Sequence, residues 1–288
     1  MSEFREGKVQ CLSAAGFHDM AYVEWGDPTN PKVLLCAHGL TRCGRDFDDL
    51  ARAMCDMYRV VCPDVVGRGR SDRLKNPHLY GIPQYGADMV TLLAALKAET
   101  LHWVGTSMGG LIGMALAAQE NTPISRLVLN DVGPVITAAS IARIGEFLGK
   151  APRFDSYVKA EAFVRFVSAP FGPLTDAQWR QLTVHTTRQA ADGQFEFIYD
   201  PAIAIPFQDA VAATGGKDME LWPVYDAIRC PTLLLRGAQS DLLTQETAQL
   251  MSQRGPGAQL IEFAGIGHAP VLMDDVQIAP VREFLRAL

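Results

Sequence analysis

Short apolar runs alternate with helical patterns along most of the chain, and this alternation constrains the fold more than any other feature. Parallel strands need long crossovers, usually helices, so the repetition predicts a mostly parallel sheet covered by helices. Strands are expected at Val9–Ser13, Met20–Trp25, Val33–Ala37, Arg59–Pro63, Leu101–Val104, Leu127–Asn130, Thr232–Arg236 and Gln259–Phe263. Five of these are continuous Val/Leu/Ile-rich stretches, as strands buried on both faces are. The first two are expected to run antiparallel around the turn at Gly16. Helices are expected at Asp46–Met57, Gln84–Glu99, Met108–Gln119, Thr244–Gln253 and Val276–Leu288, each with apolar positions three and four apart.

The alternation breaks between about Pro134 and Pro223. The chain therefore divides into a first core segment (1–134), an inserted segment (135–222) and a second core segment (223–288). Short helices are expected inside the insertion at Ile136–Leu148, Val158–Val167 and Asp176–Thr187, with a stretch of undecided type at Phe195–Tyr199. The insertion holds 12 of the 24 aromatic residues in 88 of the 288 positions. That enrichment suggests an apolar lid over a pocket, although a small helical unit also needs aromatics for its own core.

Composition narrows the partners. With 48% apolar and 20% charged residues the chain can bury a sizeable core. The net charge is −6 and no run of Lys or Arg occurs, so neither nucleic acid nor an anionic membrane is an expected partner. The six cysteines are scattered without a C-x-x-C pair, which favours reduced thiols and a cytoplasmic location over disulfides or zinc. The start of the chain lacks the apolar stretch of a secretory signal. Thr100 to Glu120 brackets a charge-free stretch long enough to imitate a membrane span. Its glycines, its His102 and its change of period fit a strand that turns sharply into a helix.

That turn is Gly105-Thr106-Ser107-Met108-Gly109-Gly110. A G-x-S-x-G element between a strand and a helix is a nucleophile elbow. The turn strains the serine backbone, and Gly105 and Gly109 leave room where side chains would collide. A serine hydroxyl needs a base. Among six histidines, His268 follows the last expected strand, so it reaches the same rim of the sheet as Ser107. The base needs an acid to orient it. Asp241, after the strand at Thr232–Arg236, is preferred; Asp131, before a Gly-Pro turn, is the alternative, with hydrogen bonding of the loop into the insertion as its other role. The backbone N–H groups of Met108 and Leu40 are expected to hold an oxyanion. Gly39 would let the loop bend inward while His38 buttresses it.

Other glycine-rich or charged segments read differently. Asp64 to Ser71 lacks both phosphate-loop and dinucleotide spacing and is expected to be a strand-end turn stabilised by Asp64 and Arg68. No metal site is expected from ligand spacing. Arg42 and Arg45 lie near the oxyanion loop, where a substrate carboxylate could find them; solvation or a salt bridge to Asp46 or Asp48 is preferred.

Taken in order, His38-Gly39-Leu40, Pro63-Asp64 with Gly67 to Ser71, Gly105 to Gly110, Gly237 to Asp241 and Gly267-His268 resemble the α/β-hydrolase fold superfamily over nearly the whole chain. The resemblance implies an eight-stranded, mostly parallel sheet flanked by helices, with a helical cap inserted after the sixth strand. It implies a serine hydrolase, carboxylesterase-like or enol-lactonase-like, that cleaves a small-molecule ester or lactone through an acyl-enzyme without a cofactor. Carbon–carbon bond hydrolysis of ring-cleavage products, a related lyase reaction and a non-catalytic small-molecule receptor remain alternatives. Homo-oligomer formation is left open.

Overall fold

A computed structural model describes residues 4–287, and an eight-stranded sheet runs through its centre. The first core segment contributes β1 (Phe4–Ser13), β2 (Gly16–Trp25), β3 (Lys32–Ala37), β4 (Arg59–Pro63), β5 (Thr100–Thr106) and β6 (Ile124–Asn130), with helices α1 (Asp48–Met54), α2 (Ile82–Leu96) and α3 (Met108–Ala117). The inserted segment carries four short strands, β7 (Val135–Ile136), β8 (Thr187–Gln189), β9 (Phe195–Phe197) and β10 (Met219–Glu220). Its helices are α4 (Ala138–Phe147), α5 (Tyr157–Val167), α6 (Asp176–Thr186) and α7 (Ala204–Thr214), and α8 (Trp222–Ala227) leads back to the core. The chain ends with β11 (Thr232–Gly237), α9 (Gln245–Met251), β12 (Gln259–Phe263) and α10 (Asp275–Arg286).

The sheet order is β1-β2-β4-β3-β5-β6-β11-β12. Only the pairs β1/β2 and β2/β4 are antiparallel; the other five are parallel. All eight expected core strands lie in this sheet. β1 begins at Phe4 instead of Val9, because Arg5 to Lys8 form the outer end of an edge strand whose polar side chains face water. The stretch that imitated a membrane span divides into β5 and α3, and among the described residues no helix is long and apolar enough to cross a bilayer.

The insertion departs from the core at β7 and returns at β10. The two pair antiparallel, Ile136 opposite Met219 and Val135 opposite Glu220, so the segment leaves and re-enters at one point. Its three expected helices are α4, α5 and α6, and Phe195–Phe197 is a strand paired with β8. A capping box fixes the start of α6: the Thr175 side chain accepts the Gln178 N–H, and the Gln178 side-chain oxygen accepts the Thr175 backbone N–H. Two helices, α7 and α8, go beyond the sequence reading. Both carry proline in the first turn (Pro206 and Pro223), where the missing N–H costs nothing. The last expected helix corresponds to α10, and Leu288 lies outside the described residues.

Two apolar layers hold helices to the faces of the sheet. One includes Val33, Leu35, Val61, Trp103, Ile112, Leu127, Leu129 and Leu234; the other includes Leu34, Cys36, Val60, Val104, Val128, Leu233 and Leu235. Successive residues of one strand thus enter opposite layers, as strands buried on both sides require. Leu234 lies fully buried in β11 between β6 and β12. Leu234→Ala should lower the unfolding free energy by about 2–5 kcal/mol, read from urea denaturation followed by circular dichroism.

Candidate functional site

Strand register sets the site before any side chain does. Ala37 pairs with Gly105, Thr106 with Asn130, and Asn130 with Leu235. The residues that follow β3, β5, β6 and β11 therefore emerge along one rim, at the carboxyl ends of parallel strands. Among them are His38, Ser107 and Asp131.

Ser107 caps α3 with φ 52° and ψ −116°, a backbone that side-chain-bearing residues rarely adopt. Packing enforces it. A Cβ on Gly109 would overlap the Ala37 carbonyl, and one on Gly105 would overlap the Gly109 backbone. The Ser107 N–H donates to Asn130 O at 3.0 Å, and the first turn of α3 closes back on the Ser107 carbonyl. The hydroxyl is left at the helix entrance, where the aligned amides favour negative charge.

His268 stands 2.9 Å from Ser107 Oγ through Nε2. Its Nδ1 lies 2.7 Å from Asp131 Oδ2. Asp131 also accepts the Gly237 N–H at Oδ1 (2.8 Å) and the Ser240 hydroxyl at Oδ2 (2.6 Å). With the carboxylate acting as acceptor, Nδ1 carries hydrogen and Nε2 is free to take the serine proton. An alcohol, an imidazole and a carboxylate in this line can generate a nucleophile.

The acid in this line corrects the sequence-based expectation. Asp241 is not at His268; its carboxylate binds Arg143 of α4 at 2.5 and 2.9 Å, and the pair is partly open to solvent. The reason lies in the turn after β11. Ser240 Oγ accepts the Leu242 and Leu243 N–H groups and donates inward to Asp131, so the turn curls and Asp241 points outward to the insertion. Asp131 is fully buried, with φ 56° swinging its side chain toward His268. Asn130, which sequence reasoning did not single out, donates from Nδ2 to Thr106 Oγ1 (2.9 Å) and Pro270 O (2.8 Å), tying the histidine loop to the elbow.

The loop after β3 is held from beneath. His38 is fully buried; its Nδ1 lies 2.7 Å from Gly39 O and its Nε2 accepts the Val65 N–H at 2.9 Å. One nitrogen must donate and the other must accept, so the ring is neutral with hydrogen on Nδ1. Burial pushes its pKa down to about 4. Arg68, also fully buried, donates to Leu40 O (2.8 Å), Val66 O (2.8 Å) and Tyr85 Oη (2.9 Å). Asp64 accepts Gly44 N–H and Arg70 N–H at 2.8 and 3.0 Å. The expected strand-end turn is thus a buttress for the Leu40 loop. The Met108 N–H, first in α3, has no intrahelical acceptor.

Ser107 and His268 open into a cavity of about 220 Å³ between core and insertion. Phe147, Phe163, Phe171, Phe197 and Tyr199 of the insertion line it, while Phe163 and Phe197 also pack on Phe154 at 5.3 and 6.2 Å between ring centroids. The inserted aromatics therefore serve both roles inferred from their enrichment. Arg42 forms a two-point pair with Asp46 (2.8 and 2.7 Å) and Arg45 one with Asp48. Both arginines take the salt-bridge role preferred from sequence. A Cys11, His18 and Asp88 group has ligand atoms within 4.8 Å of one another, brought together by β1, β2 and α2 from distant positions; His18 Nε2 and Asp88 Oδ2 already share a 3.0 Å hydrogen bond.

Comparison with known proteins agrees with this geometry. A family model described as alpha/beta hydrolase fold matches residues 32–275. A 3-hydroxybutyrate-oligomer hydrolase of Cupriavidus necator is 49% identical over 284 residues, covering 97% of each chain. Two solved structures superpose over almost the full length: an alpha/beta hydrolase from Novosphingobium aromaticivorans (TM-score 0.87, 37% identity, 99% of each chain) and a putative hydrolase from Rickettsia typhi (TM-score 0.89, 33% identity, 98% of each chain).

Two outcomes follow from the site geometry. Asp131→Asn should lower kcat by about 10³–10⁴-fold, whereas Asp241→Asn should change it less than about tenfold, measured on one ester under saturating conditions. His38 stays neutral in the folded protein down to about pH 4, while the unfolded chain protonates it near 6.5. Its contribution to stability is present above 6.5 and is lost as pH falls toward 4; His102, also lowered to about 4 by burial, acts in the same window. His38→Gln should flatten the fall of the urea midpoint between pH 6.5 and 4.

Proposed function

The chain belongs to the α/β-hydrolase fold family and is an ester-bond hydrolase, and we propose that it works through an acyl-enzyme on Ser107 and takes short oligomers of a hydroxyacid as its substrate. The observation that carries the mechanism is the unbroken hydrogen-bonded line from Asp131 through His268 to Ser107 at the wall of a cavity. His268 removes the Ser107 proton as the hydroxyl attacks the ester carbonyl. The Leu40 and Met108 amides take up the oxyanion, each donor being worth a few kcal/mol to the transition state. His268 then protonates the departing alcohol and activates water against the acyl-enzyme. Asp131 keeps the imidazole in the working tautomer throughout.

Support for the substrate class comes from the 49% identity to the oligomer hydrolase across nearly all of both chains. The many aromatic and aliphatic residues of the cavity wall also suit a chain of small ester units.

The test is turnover of a 3-hydroxybutyrate dimer and of a short-chain aryl ester by the wild type and by Ser107→Ala, with fluorophosphonate labelling alongside. Ser107→Ala should lose about 10³-fold or more in kcat and all labelling. Undiminished turnover in that variant would remove the mechanism. A ring-fission dienoate cleaved in strong preference to both esters would move the reading to carbon–carbon bond hydrolysis, and labelling without turnover would leave a receptor.

A further inference from the structure

Two cavities share Ser107 in their walls. The first, of about 220 Å³, has His268, Arg42 and Arg143 in its wall. The second, of about 290 Å³, is lined by residues such as Met108, Leu111, Val132, Ile136, Phe207 and Leu242, with no charged side chain among the described residues. Leu40, Ser107 and Ile144 border both, but His268 borders only the first.

That asymmetry orients a substrate. The carbon attacked by Ser107 bears the serine oxygen, the oxyanion, the acyl chain and the leaving oxygen. The oxyanion faces the Leu40 and Met108 amides. The leaving oxygen must face His268, which gives it a proton. Hence the leaving alcohol belongs in the first cavity. The acyl chain takes the remaining direction, into the second.

In an oligomer of hydroxyacids these two sides differ in charge. The acyl side ends in a hydroxyl group, and the leaving side carries the free carboxylate. Within the second cavity a carboxylate would be buried without a partner. The first offers two guanidinium groups. Arg42 is neutralised by Asp46, which itself borders that cavity. Arg143 is held in the same two-point way, through Nε and Nη2 by Asp241, but that carboxylate lies outside the cavity lining.

We propose that Arg143 is a specificity-determining residue that binds the free carboxylate of the leaving unit, so that the enzyme cuts its oligomer from the carboxyl end while the apolar cavity holds the acyl remainder. This rests on the ester-hydrolase reading above. In the step, the Ser107 Oγ–acyl bond forms, the acyl–alkoxide bond breaks, and the serine proton passes through His268 to the released hydroxyacid.

The experiment uses a 3-hydroxybutyrate trimer whose carboxyl-terminal unit is deuterated, as the free acid and as its methyl ester. The wild type should favour the free acid in kcat/KM by about tenfold or more and release the deuterated monomer first. Rapid quench and intact mass should find two undeuterated units on Ser107. Arg143→Gln should bring the free-acid to methyl-ester ratio close to one, and Arg143→Lys should restore part of it. The proposal is overturned by a wild type without that preference, by an unchanged ratio in Arg143→Gln, or by first release of the hydroxyl-terminal unit. Turnover of p-nitrophenyl butyrate by the same preparations separates the two readings. If Ser107→Ala abolishes it while the ratio is flat, only the carboxylate assignment fails; if Ser107→Ala retains it, the ester-hydrolase reading fails.

Discussion

The Asp131 carboxylate, wholly removed from solvent, is the point on which the rest of the structure turns. It stands at the end of β6, before the insertion, and its donors come from after it: Gly237 N–H, the Ser240 hydroxyl and His268 Nδ1. A buried carboxylate is costly unless such partners are present. Docking of the second core segment therefore satisfies the carboxylate and assembles the reactive line in one arrangement. β11 beside β6 supplies the scaffold, with the Asp131 N–H donating to Leu235 O at 2.8 Å.

The inserted segment acts on a different level, by shaping the space next to that line. Because β7 and β10 pair at its neck, about eighty residues are added without disturbing the register of β6 and β11. Its aromatics pack on one another and face the cavity at once, so the wall over Ser107 is anchored by the insertion's own core. An apolar wall excludes water and strengthens every charge interaction beside the hydroxyl. The Arg143–Asp241 pair joins this wall to the core at its rim.

Much of this was legible in the linear chain where a local rule carried it. Five of the eight core strands announced themselves as continuous apolar runs, and Gly105, Ser107 and Gly109 as an elbow, because backbone strain at that turn demands small neighbours two positions away. His268 was legible from its place after the last strand. Helices α7 and α8 were not singled out from the sequence; each carries a proline in its first turn, and a proline's effect depends on whether it falls there or later. The acid was misread for a related reason. Asp131 and Asp241 both follow a strand on the same rim, and the Gly-Pro turn after Asp131 pointed to a loop-bracing role for it.

The amino-acid sequence by itself determined the sheet, the elbow, the identity of the hydroxyl and imidazole, and the place where the insertion begins, because each follows from period, strain or order along the chain. Tertiary structure alone decided which carboxylate meets His268, how His38, Arg68 and Asn130 brace the loops, and how two cavities divide around Ser107. Those depend on the direction in which a turn carries a side chain once strands from distant segments lie side by side, and that direction is set by hydrogen bonds such as Ser240 to Asp131, which exist only after the strands have paired.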